Sequence, residues 1–113
     1  MTYTDVAQMI ADTGLPNAYY QFTKDTAKPP PFICFFFEGS ADLAADDTNY
    51  QKVRPLSIEL YTEVKDYDME AVVEKVLNDH GLVYSREEEP LDSERLYVVV
   101  FTTTVMIEEE SNA

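Results

Sequence analysis

Few side chains in this 113-residue chain could carry out chemistry. It has one histidine, His80, and one cysteine, Cys34. Nucleophilic catalysis needs a Ser, Cys or Thr beside a base that a third group orients, and one imidazole leaves little to build that from. No CxxC, HExxH or glycine-rich phosphate loop occurs, so the spacings of zinc sites and nucleotide cradles are missing. His80 ends a helical pattern just before Gly81, where an imidazolium suits the helix C-terminus, and it reads as a cap. Cys34 sits inside the apolar run FICFFF and reads as a small buried hydrophobe.

Carboxylates are plentiful, and two groups invite a catalytic or metal reading. Asp66, Asp68 and Glu70 in DYDMEAVVEKVL start like a calcium loop. Ala71, however, stands where that loop needs glycine, and Leu77 where it needs a bidentate Glu, so Asp66 or Asp68 reads as a helix cap. Asp46 and Asp47 are adjacent, yet a glycosidase-type acid and base needs two carboxyls whose pKa values are held apart. An acidic loop offers nothing to separate them. The expectation is a chain without catalysis, metal or cofactor.

The elements that would position these residues follow from periodicity. Val6, Met9, Ile10 and Thr13 share one helical face, with Thr4 or Asp5 as cap and Gly14 as stop. Residues 18–22 and 32–37 read as strands, joined by the polar turn TKDTAKPPP, whose prolines mark the start of the second strand. Residues 38–50 form a long acidic loop, and 52–63 alternate as a half-buried strand. Met69, Val72, Val73, Val76, Leu77 and His80 recur at helical spacing, while Glu70, Glu74, Lys75 and Asp79 stay off that stripe. Both helices end in a D-x-G-L pattern that can close a Schellman-type cap. Residues 82–86 read as a short strand, EEEPLDSE as an acidic turn, and 95–107 as a long strand.

The order is α-β-β-β-α-β-β, an α+β fold with a mostly antiparallel five-stranded sheet and two helices on it. Residues 1–107 are expected to be a single domain and 108–113 an acidic disordered tail. With 45% hydrophobic residues, eight Tyr and six Phe, the chain is apolar enough to fold despite its charge. Acids outnumber bases 22 to 8, a formal net charge of −14, so the electrostatic footprint of a nucleic-acid or acidic-membrane binder is absent. One cysteine permits no intramolecular disulfide, and the first residues have no signal-peptide pattern, so a cytosolic setting is expected.

The Phe-rich strand and the last strand are apolar on both faces, and two helices cover about one face of such a sheet. Cover for the other must come from the long loop folding back or from another copy of the chain.

The stretches ADTGLPNAYYQF, PPPFICFFFEGS, LAADDTNY, LSIELYTE, KDYDMEAVVEKVLNDHGLVY and ERLYVVVFTTTV resemble a family of small proteins encoded in the head and tail gene clusters of phages and prophages of Gram-positive bacteria. The likeness is to the tail terminator, or tail-to-head joining, group of long-tailed phages and spans nearly the whole chain. It implies a helix-decorated antiparallel sheet and a hexameric ring that stops tail-tube growth. The implied partners are the chain itself, the tail tube protein and the head connector protein, in the virion tail or neck after assembly in the host cytoplasm. DNA would pass through without specific binding, kept from sticking by lumenal carboxylates.

On that reading Phe35, Phe37, Tyr61 and Phe101 are the expected subunit interface, and the loop carrying Leu43, Asp46 and Asp47 is a partner-contacting arm. Another class also suits the composition: a small acidic inhibitor that imitates DNA in the basic cleft of a host protein. Such a mimic needs carboxylates spaced like phosphates on one face, whereas here they concentrate in loops, turns and the tail.

Overall fold

Each helix begins where a side chain can satisfy its orphan amides. A computed structural model describes residues 1–39, 43–44 and 50–108, with the backbone alone for 43, 44, 50 and 51. Helix α1 (Tyr3–Ala11) is capped by Thr2. Thr2 Oγ1 accepts from Asp5 N at 3.0 Å, and Asp5 Oδ2 accepts from Thr2 N at 2.9 Å. This capping box corrects the expected start: Thr2 is the cap, and Asp5 answers it from three residues on. Helix α2 (Tyr67–Asp79) is capped by Asp66, which accepts from Met69 N at 3.1 Å.

The two D-x-G-L stops close differently. After α2, Gly81 at φ 68° donates to Asn78 O and Leu82 N to Leu77 O, both at 3.0 Å, the two bonds of a Schellman motif. After α1, Gly14 donates to Ala11 O, but Leu15 N is diverted to Thr13 Oγ1 at 3.2 Å.

The strands are β1 (Asn17–Tyr19), β2 (Phe32–Phe37), β3 (Leu43–Ala44), β4 (Tyr50–Thr62), β5 (Tyr84–Leu91) and β6 (Leu96–Ile107). They run β1-β2-β4-β6-β5 across the sheet, and the two-residue β3 pairs with the start of β4. β1 lies parallel to β2, and the other neighbours are antiparallel. The α+β fold and its element order are as the periodicity predicts. β1 is shorter than expected, because Tyr20 takes φ 71° and turns the chain out of the ladder. β5 is longer, since Glu87, Glu88, Glu89 and Pro90 continue the strand where a turn is expected, and only Asp92–Glu94 turn. β5 is the sheet edge, where charge and proline blunt an open ladder at little cost.

Register then decides every face. Phe35 pairs with Ile58, Ile58 with Phe101 and Phe101 with Arg86, one row beneath the helices. Ile33, Leu60 and Val99 form the adjoining row. Val6, Met9 and Ile10 of α1 and Val73, Val76 and Leu77 of α2 close over them, with Leu56, Val105 and Ile107 completing the core.

Glu70 departs from its expected solvated face. It is 3% exposed, and its Oε1 accepts from Lys65 Nζ at 2.8 Å and from the Arg86 guanidinium. Arg86 also bonds Glu74 and Glu88, so the network joins α2 to the β5 edge.

Candidate interaction surface

The rows between those of the core face away from both helices. Cys34, Glu59, Val100 and Glu87 make one such row, Phe32, Tyr61, Val98 and Glu89 the next, and Phe36, Ser57, Thr102 and Ser85 a third. Among the described residues, no helix stands on this face. Part of it is covered by the connection between β1 and β2, which the Tyr20 turn sends back over the sheet. Tyr20 packs on Phe36 with ring centroids 5.5 Å apart, and Phe22 meets Phe32 edge-on at 5.4 Å. Phe32 in turn stacks on Tyr61 at 4.9 Å.

These rings enclose an open groove of about 500 Å³, with Lys28, Glu94 and Leu96 on its rim. Cys34 and Glu59 lie on its floor, and Cys34 is buried. Glu59 is half-buried and accepts from Tyr61 Oη at 3.2 Å. Desolvation raises the Glu59 pKa above the usual carboxylate range, with the nearby Glu38 adding to the rise. Burial likewise raises the Cys34 thiol, so its nucleophilic thiolate is suppressed. Tyr61 is shifted upward by desolvation and by the Glu59 charge. Among the described residues, the groove therefore holds a carboxylate that receives the Tyr61 hydroxyl and forms no ion pair.

Of the expected interface residues, Tyr61 is on this face. Phe35 and Phe101 are not: they are 7% and 0% exposed, under the helices. Phe37 also faces the helices, half-buried beneath Tyr3, whose ring meets it edge-on at 5.1 Å, and beneath the Arg54 guanidinium at 5.2 Å. The apolar surface on the uncovered side is Phe32 and Phe36, the alternate members of the same run. Leu43 pairs through its backbone with Gln51, and its side chain lies outside the described residues, as do Asp46 and Asp47. Periodicity alone missed Tyr20, Phe22 and Glu59. The available signals are two aromatics at the end of the expected strand 18–22, just before the polar turn, and a lone carboxylate between Ile58 and Leu60.

The other charged cluster is committed internally. Lys65 Nζ bridges Glu70 and Glu88 at 2.8 Å each, and Tyr97 Oη donates to Glu88 at 2.9 Å. Lys65, Tyr97 and Arg86 hold the Glu88 carboxyl down at about 2. Asp66 and Glu70 are thus a cap and an ion-pair partner, and among the described residues no group of acids, His and Cys is arranged to hold a metal. His80 caps α2, its Nδ1 donating to Val76 O at 2.8 Å. No described helix is long and apolar enough to cross a membrane.

No protein-family model matches the sequence. No curated protein matches it either. Among solved structures, a chain of the "Virion of native gene transfer agent (GTA) particle" superposes with a TM-score of 0.59 at 15% identity, covering 91% of this chain and 86% of that one. The sheet with its two helices is therefore similar in fold to a chain of a virion particle.

Proposed function

We propose that this chain is a structural component of a phage-type virion, acting through shape and surface. In the finer form of this reading, copies join as a ring, with six the expected number, that caps the tail tube and joins tail to head. Its other contacts are the tail tube protein and the head connector protein. The observation that carries the reading is the sheet face opposite α1 and α2, uncovered by any helix among the described residues, with Phe32, Phe36 and Tyr61 partly buried on it. A face of that composition is most economically covered by another protein surface. The fold shared with a chain of a gene transfer agent virion supports the setting, and the sequence resemblance supports the tail terminator position. The acidic balance suits a passage through which DNA travels without sticking.

Light scattering during size-exclusion chromatography over a concentration series, with electron microscopy of the heaviest fraction, tests this. Rings, or a mass rising toward a hexamer, are expected. A species that stays monomeric and competes with DNA for a nuclease would instead favour the DNA-mimic inhibitor.

A further inference from the structure

Subunits of formal charge −14 repel wherever they meet, so a joint between copies needs cations set against carboxylates. Four of the eight Lys and Arg are already engaged within the subunit. Arg54 is held by Gly39 O and Tyr3 Oη, Lys65 and Arg86 by Glu70 and Glu88, and Lys75 by Asp79. Among the described residues, Lys24, Lys28, Lys52 and Arg95 enter no ion pair. On the accepting side stands Glu59, half-buried, with the Tyr61 hydroxyl as its hydrogen-bond partner. Aromatic rings around a carboxylate make a site for a cationic side chain, by charge and by cation–π attraction together.

Position selects the cation. Lys24 and Lys28 belong to the connection that borders the groove, and Arg95 lies between its rim residues Glu94 and Leu96. A base beside the groove would make a two-fold pair, because the same patch would meet itself. A ring needs the inserting group and the receiving site on different sides of the subunit. Lys52 meets that condition, seven residues before Glu59 on β4, which is roughly 23 Å along an extended strand. It lies where β4 runs on past β2, pairing with Ile107 of β6.

We propose that the joint between neighbouring copies is Lys52 of one subunit inserted into the aromatic groove of the next, paired with Glu59 and lying against Phe32, Phe36 and Tyr61. This rests on the reading that the chain assembles with itself, and the test keeps the two apart. The half-assembly concentration is measured by light scattering for wild type, Glu59→Gln, Lys52→Gln, Arg95→Gln, Lys28→Gln and the charge swap Glu59→Lys with Lys52→Glu. Glu59→Gln and Lys52→Gln should each raise it about ten-fold, as for one desolvated charge pair, and combining those two changes in one chain should be no worse than either alone. The swap should restore assembly, which also guards against a single variant that merely folds poorly. If wild type assembles and Glu59→Gln assembles equally well, the joint is wrong while the ring reading stands. If Arg95→Gln or Lys28→Gln reproduces the loss and Lys52→Gln does not, the groove is filled from beside itself and the joint is overturned. A wild type that stays monomeric throughout overturns both.

Discussion

Phe32 and Tyr61 stack nearly parallel, 20° apart in plane, on the face of the sheet opposite the helices. Within one subunit both rings are only partly buried, so part of their apolar area is still available to a partner. Tyr61→Ala should therefore weaken self-association by about 30-fold, the size of a central aromatic contact. The same change should cost folding only about 1 kcal/mol. Light scattering and a denaturant melt on one preparation separate the two effects. Equal assembly by the variant would remove this face from the joint.

Phe101 gives the opposite expectation, although both residues belong to aromatic-rich strands. It is fully buried, and Tyr84 packs against its ring at 5.9 Å. Phe101→Ala should lower unfolding free energy by about 3–5 kcal/mol, measured by urea melting. A loss below about 1 kcal/mol would mean the helices do not stand on that row.

That contrast marks where the sequence stops being legible. Helix and strand positions can be read from it because Val73, Val76 and Leu77 keep a helical period and Ile58 and Leu60 an alternating one. Face assignment in β2 and β6 cannot, since FICFFF and YVVVF are apolar at odd and even positions alike, and a shift of one residue exchanges the sides. Composition therefore does not distinguish Phe35 and Phe101, which are core, from Phe32 and Phe36, which lie on the other face. The end of β5 is not legible either, because EEEP has the composition of a turn, whereas an edge strand tolerates that composition. Glu70 read as solvated because its cover comes from Arg86, 16 residues away, a partnership no helical period encodes.

The Glu70 network makes its own prediction. Glu70 is 3% exposed and relies on Lys65 and Arg86, so removing Arg86 leaves a buried charge with Lys65 as its one remaining cation. Arg86→Met should destabilise by about 1–3 kcal/mol, since Lys65 still pairs with Glu70, and adding Glu70→Gln should recover most of it. Thermal melting of the single and double variants decides this. A double variant as weak as the single would mean that Arg86 acts through its packing on the Phe101 ring, 5.5 Å away, and not through charge.

Glu59 and Glu88 should shape the acid response in opposite directions. The Glu88 pKa is depressed from 4.5 to about 2 by Lys65, Tyr97 and Arg86, so its stabilisation is present above the unfolded value and lost as pH falls toward 2. Glu88→Gln should therefore flatten the decline of the melting midpoint between about pH 4.5 and pH 2. The Glu59 pKa is raised by desolvation, so its charge costs stability at neutral pH, and that cost fades as protonation sets in on acidification. Glu59→Gln should raise the midpoint at pH 7 and leave it nearly unchanged near pH 3, where the native group is protonated anyway. A subunit that folds better without Glu59 but assembles worse would show that the carboxylate is kept for a neighbour's cation. A midpoint that falls at pH 7 would mean that Glu59 is satisfied within its own subunit through the Tyr61 hydroxyl.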